Sequence, residues 1–267
     1  MTDSKVVIVT GGTFGIGREI TLALADRGHR VVAFGLDATQ TSSTAHESVS
    51  HFRSEIEDRG LDVYVLEADV SDAVAVDDVV NQTMSLYGRI DALVNNAAIG
   101  PLGTVLDTDE ALFDAVLSVN LKGPYLCSRA VLPHMVQAGG GAIVNIGSGA
   151  GYGKPNMAVY AASKGGLFAL SSATAYDFFH DKVRVNTVIP GGGAIMSGMT
   201  LGRVGGDSTK VDSNAPGSAA GRPVDGTDIA NAVAFLISDE AETISGTVVD
   251  VGCFAHQGGS VERKKIS

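Results

Sequence analysis

Cysteine is scarce in this sequence, which has only two among its 267 residues, Cys127 and Cys253. Neither belongs to a Cys-x-x-Cys pair, and no histidine is spaced to complete a metal site with them. A disulfide framework and a zinc site are therefore not expected, and we predict no metal. Two packed free thiols suit a reducing compartment.

Long apolar runs and an excess of basic residues are also missing. No stretch reaches the roughly 18 uninterrupted apolar residues of a membrane span, and the N-terminal segment lacks the features of a signal peptide. Lys and Arg number 19 against 30 Asp and Glu, a formal net charge of −11. Such a charge repels nucleic-acid phosphates. We expect a cytoplasmic protein whose main partners are neither nucleic acid nor membrane.

The sequence does contain a regular alternation of short β-branched runs with longer segments of helical spacing. Hydrophobic residues make up 45% of the chain and charged residues 18%, enough for a large core. The alternation predicts an α/β fold, a doubly wound, seven-stranded parallel sheet with helices on both faces, of the Rossmann type. The strands are expected at 5–10, 30–34, 63–66, 92–95, 142–146, 183–188 and 247–251. The helices are expected at 18–28, 47–60, 75–87, 109–121, 124–137, 160–179 and 228–237.

No composition change marks a domain linker, so residues 1–256 are predicted to form a single domain. One stretch, at about 190–226, is rich in Gly, Ser, Ala and Asp and has no clear period. Long unpatterned loops in compact domains are usually functional, and we interpret this one as a lid over a substrate. Residues 257–267 are expected to be a frayed tail.

A glycine-rich loop, Thr-Gly-Gly-Thr-Phe-Gly-Ile-Gly at 10–17, follows the first predicted strand and opens the first helix. Glycines let the backbone approach a pyrophosphate, and a helix N-terminus directs free amides at its charge. An acid, Asp37, follows 20 residues beyond Gly17. A tight turn with structural glycines is the simpler alternative, but the strand–turn–helix context favours nucleotide binding.

Together with Asn-Asn-Ala-Ala at 95–98, Tyr-Ala-Ala-Ser-Lys at 160–164 and Pro-Gly at 190–191, this loop resembles the short-chain dehydrogenase/reductase family over about residues 5–255. The resemblance implies an NAD(P)-dependent oxidoreductase that transfers a hydride between nicotinamide and a secondary alcohol or ketone. It implies a dinucleotide-binding and catalytic domain over 1–256, and usually a homotetramer joined through the long helices.

The resemblance also assigns site residues. It implies catalytic roles for Asn120, Ser148, Tyr160 and Lys164, and a supporting role for Asn95. The implied cofactor-binding residues are Gly11, Thr13, Phe14, Gly15, Ile16, Gly17, Asp37, Asp69, Val70, Asn96, Ala97, Tyr160, Lys164, Pro190, Gly191, Ile195 and Ser197. The implied substrate-binding residues are Ser148, Gly149, Tyr152, Met157, Tyr160, Gly192, Met196 and Met199.

These residue types suit proton transfer at an alcohol oxygen. A free tyrosine has a pKa near 10, and an ammonium one helical turn away lowers that pKa, so Lys164 would tune Tyr160 as the general acid and base. Ser148 would donate a hydrogen bond to the substrate oxygen. Asn120 would hold a water that links Lys164 to solvent. Taken alone, Ser148 also fits a loop serine, and Asn120 a helix cap.

For the cofactor, NAD is favoured over NADP. Asp37 lies just after the second strand, where an acid accepts hydrogen bonds from ribose hydroxyls and repels a 2′-phosphate. No Arg or Lys occupies 13, 14, 35 or 36, the positions at which NADP-using relatives tend to carry one. The opposing interpretation makes Asp37 a loop residue and lets Thr39 and the hydroxyls at 41–43 meet a 2′-phosphate.

Two departures from the family pattern affect the substrate side. The segment between Ser148 and Tyr160 is one residue shorter than in many relatives, and Ile195 and Ser197 follow Pro190 two residues late. We expect a small or medium, largely uncharged alcohol or ketone. The alternatives are an NADPH-dependent 3-oxoacyl-thioester reductase and a non-catalytic nucleotide-binding protein on the same fold.

Overall fold

The computed structural model describes residues 4–37, 49–191, 199 and 218–252. Seven strands, numbered in chain order, form one sheet: β1 (Val6–Thr10), β2 (Arg30–Gly35), β3 (Val63–Glu67), β4 (Ala92–Asn95), β5 (Gly141–Ile146), β6 (Val183–Pro190) and β7 (Val248–Val251). The helices are α1 (Gly15–Asp26), α2 (Val49–Arg59), α3 (Ala73–Tyr87), α4 (Glu110–Leu117), α5 (Gly123–Ala138), α6 (Ala158–Asp177) and α7 (Gly226–Ile237). A π-helical turn (Ser118–Lys122) and two 3₁₀ turns (Gly149–Tyr152 and Asp239–Ala241) complete the described elements.

All strand pairs are parallel, and the strand order is β3-β2-β1-β4-β5-β6-β7. The predicted doubly wound Rossmann-type sheet is thereby confirmed. The order in which strands are added to the sheet reverses between β1 and β4, where Val9 pairs with Val94. In such sheets ligands bind in the crevice beyond the carboxyl ends of the strands at this reversal.

Alternate residues of each buried strand serve opposite faces of the sheet. In β1, Val7 and Val9 pack into a cluster that includes the buried residues of α1 and α7. Ile8, between them, packs into a second cluster, with α3 and α5. Each face is therefore covered by helices, which explains the near-continuous apolar runs of the strands.

Two helix boundaries differ from the predicted ones at glycines, because glycines expected to lie outside a helix begin one. The first helix, expected from Arg18, begins at Gly15, so the last two glycines of the phosphate loop belong to its first turn. The helices expected at 109–121 and 124–137 are not separated, because a π turn at Ser118–Lys122 joins α4 to α5. The gap at 122–123 between the two expected helices is itself helical, because Lys122 ends the π turn and Gly123 begins α5.

Several sequence predictions fall on residues outside those described. The lid expected at about 190–226 is described only at its two ends and at Met199, and the tail at 257–267 is not described. Cys253 is likewise outside, whereas Cys127 is a buried free thiol on the core-facing side of α5. Burial raises the pKa of the Cys127 thiol to about 12, which leaves it protonated and unreactive at neutral pH.

Candidate active site

The glycine-rich loop bends tightly between β1 and α1. Gly11 (φ 58°) and Gly15 (φ 57°) occupy the left-handed region, which favours glycine. A Cβ on Gly17 would overlap the carbonyl oxygen of Gly11 and Nδ2 of Asn96. The loop therefore closes against the start of the helix and leaves room for a ligand's phosphates beside the backbone.

Asn96 and Thr10 fasten the loop to the end of β4. The Thr10 hydroxyl accepts hydrogen bonds from the backbone amides of Asn96 (3.0 Å) and Ala97 (2.9 Å). The Asn96 side-chain amide donates to the carbonyls of Thr10 (3.1 Å) and Gly11 (3.0 Å). Thr10, which the sequence motif includes but to which no role was assigned, is thus the link between the loop and β4.

The loop carries a buried polar atom without a partner. The Thr13 hydroxyl is buried and has no hydrogen-bond partner among the described residues. A Cβ on Gly35 would lie 3.3 Å from it, so this hydroxyl faces the end of β2, two residues before Asp37. Phe14, the N-cap of α1, offers no side-chain cap hydrogen bond, which leaves the helix N-terminus open to an anion.

On the other side of the crevice, Asp69 and Val70 follow β3. One carboxylate oxygen of Asp69, Oδ1, accepts from the backbone amide and the hydroxyl of Ser71, both at 2.8 Å. Val70 is buried against the start of α5, where a Cβ on Gly123 would lie 2.9 Å from its Cγ2. The glycine loop, a buried unpaired hydroxyl and a positioned carboxylate together fit a dinucleotide.

Tyr160 and Lys164 lie one turn apart near the start of α6 and are both buried. The Lys164 ammonium is 6.0 Å from the centre of the Tyr160 ring and donates to the carbonyl of Ile146 at the end of β5 (2.8 Å). Burial lowers the pKa of Lys164 to about 8. The structure thus places a cation near a phenol, as the spacing of the two residues predicts.

Asn120 lies fully buried in the π turn and ties three segments together. Its Oδ1 accepts from the Ile99 amide (2.9 Å), and its Nδ2 donates to the Ile99 carbonyl (2.8 Å) and to the Ser163 hydroxyl (3.0 Å). Ser163 in turn donates to the carbonyl of Tyr160 (2.8 Å). Both amide protons are committed to protein atoms, so the expected water can meet this side chain only at Oδ1. Ser163 was not singled out from the sequence.

Ser148 lies two residues beyond the Ile146 carbonyl that holds Lys164. Its backbone is extended (φ −162°, ψ 144°), and it caps the 3₁₀ turn that follows. The Ser148 hydroxyl accepts a hydrogen bond from the Ala150 amide (3.2 Å). Its own proton therefore remains available to donate. β5 and α6 bring Ser148 and the Tyr160–Lys164 pair to the same edge of the sheet.

The residues predicted to contact substrate are only partly described. Gly149 is buried, Tyr152 is 51% exposed, and Met157 is half-buried and pairs with Gly103 in an isolated bridge. The Gly191 amide, after Pro190, donates to the Val251 carbonyl (2.7 Å), which holds the end of β6 to β7. Gly192, Ile195, Met196 and Ser197 lie outside the described residues, and Met199 is described in isolation.

Neither a metal-binding cluster nor a membrane-spanning helix is found in the described segments. Within 4–37, 49–191 and 218–252, no three His, Cys, Asp or Glu side chains are grouped so that they could hold a metal ion. No helix in the same part of the chain is long and apolar enough to cross a membrane.

The chain matches known proteins over most of its length. A family model described as short chain dehydrogenase matches residues 5–201. A 3-oxoacyl-acyl-carrier-protein reductase, FabG, of Staphylococcus aureus is 34% identical over 252 residues, 94% of this chain and 98% of the relative. Subunit BbsD of a hydroxy(phenyl)methylsuccinyl-CoA dehydrogenase from Thauera aromatica is 34% identical over 248 residues, 93% of this chain and 95% of the relative.

Among solved structures, that of levodione reductase superposes with a TM-score of 0.81 at 31% identity and covers 93% of this chain and 96% of its own. The family model alone spans well over half of the chain. The motifs at 10–17, 95–98 and 160–164 all lie within it. The protein is therefore an oxidoreductase of the short-chain dehydrogenase/reductase family.

Proposed function

We propose that this protein interconverts a secondary alcohol and a ketone with a nicotinamide cofactor, and that Tyr160 is its general acid and base. The observation that carries the proposal is the buried Tyr160–Lys164 pair, with the ammonium 6.0 Å from the phenol ring. A cation close to a phenol favours the phenolate, so Lys164 would help Tyr160 to exchange its proton with a substrate.

The bound nicotinamide would supply or accept the hydride. The residues of the chain handle the proton and the substrate oxygen. Tyr160 gives its hydroxyl proton to a carbonyl oxygen in reduction and takes it back from the alcohol in oxidation. Ser148 donates a hydrogen bond to the same oxygen and stabilises its developing charge. Asn120 holds the Tyr160 segment in place through Ser163.

The cofactor would be held mainly by backbone. Gly11 to Gly17, including Thr13, Phe14, Gly15 and Ile16, would receive the pyrophosphate at the N-terminus of α1. Asp69 and Val70 would meet the adenine. We assign the nicotinamide side to Asn96, Ala97, Tyr160, Lys164, Pro190, Gly191, Ile195 and Ser197.

We also propose that the cofactor is NAD rather than NADP. The neutral Leu36 and the acidic Asp37 follow β2, and the neutral Thr13 hydroxyl faces Gly35. A 2′-phosphate there would meet the negative charge of Asp37. The expected result is a catalytic efficiency at least tenfold higher with NADH than with NADPH. Initial rates at limiting cofactor measure this ratio, and a preference for NADPH contradicts the proposal.

For the substrate we propose a largely uncharged ketone, because the described wall around Ser148 presents Gly149, Tyr152 and Met157. One of the structural neighbours is a levodione reductase. An acyl-thioester substrate is the second candidate, favoured by two relatives whose names specify an acyl carrier protein and a CoA ester. A panel of cyclohexanone, levodione and acetoacetyl-CoA, assayed by NADH absorbance, separates the two classes.

Tyr160→Phe tests the catalytic assignment directly. We expect turnover to fall at least a thousandfold, because the acid–base proton is removed, while NADH still binds. Tyr176→Phe, at an exposed tyrosine on the same helix, is the matched control and should retain full activity. Rates and NADH fluorescence titrations measure the two properties. Near-normal turnover by Tyr160→Phe would exclude Tyr160 as the acid and base, and equal loss in both variants would do the same.

The remaining assignments concern the whole chain. We propose one domain over 1–256 with a substrate lid at about 190–226, in a cytoplasmic homotetramer. Support for the oligomer comes from a surface groove between α4, the π turn, the start of α5 and α6. It is lined by the apolar or small residues Leu117, Leu121, Tyr125, Gly166 and Leu170 and by the polar residues Asp114, Ser118 and Lys122. Tyr125 is half exposed there.

A further inference from the structure

Phe168 lies on α6 one turn beyond Lys164, and neither the family motif nor the proposed chemistry involves it. Its ring lies against the backbone at two glycines on either side of Ser148. A Cβ on Gly147 would lie 2.8 Å from Cε1 of Phe168, and a Cβ on Gly151 would lie 2.6 Å from Cε2 and 2.9 Å from Cζ. The ring therefore packs directly on both glycines, and at Gly147 it does so together with the Thr187 methyl group, which would lie 2.7 Å from the added Cβ.

Hydrogen bonds hold the start of the segment from Gly147 to Tyr152 and shape the rest of it. The Gly147 amide donates to the Val188 carbonyl of β6 (2.8 Å), which ties the start of the segment to the sheet. The Gly151 amide donates to the Ser148 carbonyl (2.9 Å), and the Ala150 amide donates to the Ser148 hydroxyl (3.2 Å). These last two hydrogen bonds lie within the segment, so they shape it without fixing the distance between Ser148 and α6.

Contacts with α6 set that distance. A Cβ on Gly165 would lie 3.0 Å from the Gly151 carbonyl oxygen, so the segment rests directly on the helix backbone there. Tyr152 stacks on Phe168 from the outside, with ring centres 5.1 Å apart and planes tilted by 40°. The Phe168 ring therefore lies between α6 and both ends of the segment that carries Ser148.

We propose that Phe168 is a positioning residue that aims the Ser148 hydroxyl at the substrate oxygen. Tyr160, Lys164 and Phe168 are spaced i, i+4 and i+8, so they share one face of α6. The ring references the Ser148 segment to the same helix that carries the acid–base pair. This inference rests on the proposed function, since it supposes that Ser148 and Tyr160 act on one oxygen.

A smaller side chain at 168 removes the packing against Gly147 and Gly151, so the residues between them, which include Ser148, can shift relative to the helix. An aliphatic side chain such as Leu is too narrow to touch Gly147 and Gly151 together. Displacements of about 1 Å in a catalytic group cost up to a hundredfold in rate. The cost should appear in the chemical step rather than in cofactor binding, because the glycine-rich loop at 11–17 is remote from this contact.

The test is a double-mutant cycle on NADH-dependent reduction of whichever of cyclohexanone, levodione and acetoacetyl-CoA is reduced fastest. Ser148→Ala should lower kcat about a hundredfold, and Phe168→Ala about tenfold. KM for NADH should change less than twofold. The double variant should match Ser148→Ala within twofold, because Phe168 acts through Ser148. Losses that multiply in the double variant would overturn the proposal, since they would show a general structural effect.

Two further variants protect the test. Phe168→Leu keeps an apolar side chain in case Phe168→Ala does not fold, and its kcat should fall severalfold. Wild-type kcat in a folded Phe168→Leu or Phe168→Ala variant overturns the proposal. Phe179→Ala, at an exposed phenylalanine just after α6, should leave kcat unchanged. Failure of the proposed function is a separate result: the wild-type protein would reduce none of the three probes, or Tyr160→Phe would stay active.

Discussion

At the scale of single residues, Lys164 shows the tension between stability and chemistry. Its ammonium is buried and donates a hydrogen bond to the Ile146 carbonyl. Burying a charge without a counter-ion is unfavourable, and this cost lowers the Lys164 pKa to about 8. The protein therefore holds a group that weakens its fold at neutral pH but places positive charge beside the Tyr160 ring.

This cost predicts a pH dependence of stability. In the folded chain Lys164 loses its proton near pH 8, whereas an unfolded lysine keeps it to about 10.5. Between these values the unfolded state binds more protons, so stability rises with pH. The test compares two variants, Tyr160→Phe and Tyr160→Phe/Lys164→Met, so that the phenol does not titrate in either. The free energy of unfolding of the single variant, relative to that of the double variant, should rise by up to about 3 kcal/mol between pH 8 and 10.5.

Urea denaturation of the two variants at pH 7, 8.5 and 10 measures this difference directly. Since both carry Tyr160→Phe and differ only at 164, every other titration cancels between them. A difference that stays constant over this range would show that Lys164 is not desolvated in the folded protein.

The resemblance to a known family supplied the candidate catalytic residues, including Asn120. Spacing by itself predicted only that Tyr160 and Lys164 share one face of a helix, and the glycines at 11–17 predicted a phosphate loop. Ile146, Ser163 and Thr10 were not predicted, because their roles depend on contacts between distant segments. Ile146 is hydrogen-bonded to a residue 18 positions away, and Thr10 to residues 86 and 87 positions away.

At the scale of elements, the π turn at Ser118–Lys122 is the departure that periodicity could not show. Gly123-Pro124 reads as a helix stop, yet α5 starts there. Pro124 has no N–H to give to the carbonyl of Asn120 four residues earlier, so the α-helical register is interrupted at that point. The π turn carries the chain through the interruption and turns Asn120 inward, as π turns at functional sites often do.

Asn120→Ala tests how far this turn depends on one side chain. The change removes three hydrogen bonds, two to the part-buried backbone of Ile99 and one to the buried Ser163 hydroxyl. We expect a loss of about 2–4 kcal/mol in the free energy of unfolding, measured with urea. Asn231→Ala, which removes an exposed hydrogen bond to Arg27, should cost less than about 0.5 kcal/mol. Similar losses in the two variants would contradict this assignment.

At the scale of the whole molecule, alternation of strands and helices predicted the sheet and its parallel sense but not by itself the strand order. Hydrophobic periodicity tells which face of a strand is buried and not which strand lies beside it. Strand neighbours are set by contacts such as Val9 with Val94, 85 residues apart. The strand order therefore comes from the structure and not from the sequence analysis.

The last prediction concerns assembly. If the groove lined by Leu117, Leu121, Tyr125 and Leu170 packs against the same groove of a second chain, a carboxylate introduced at its rim lies near the same carboxylate of the second chain across a two-fold axis. Tyr125→Glu should therefore split the proposed tetramer into dimers, whereas Leu86→Glu, at an equally exposed residue on α3, should not. Sedimentation velocity measures both. A wild-type protein that sediments as a monomer would exclude the tetramer, and an intact Tyr125→Glu tetramer would place its contacts on another face.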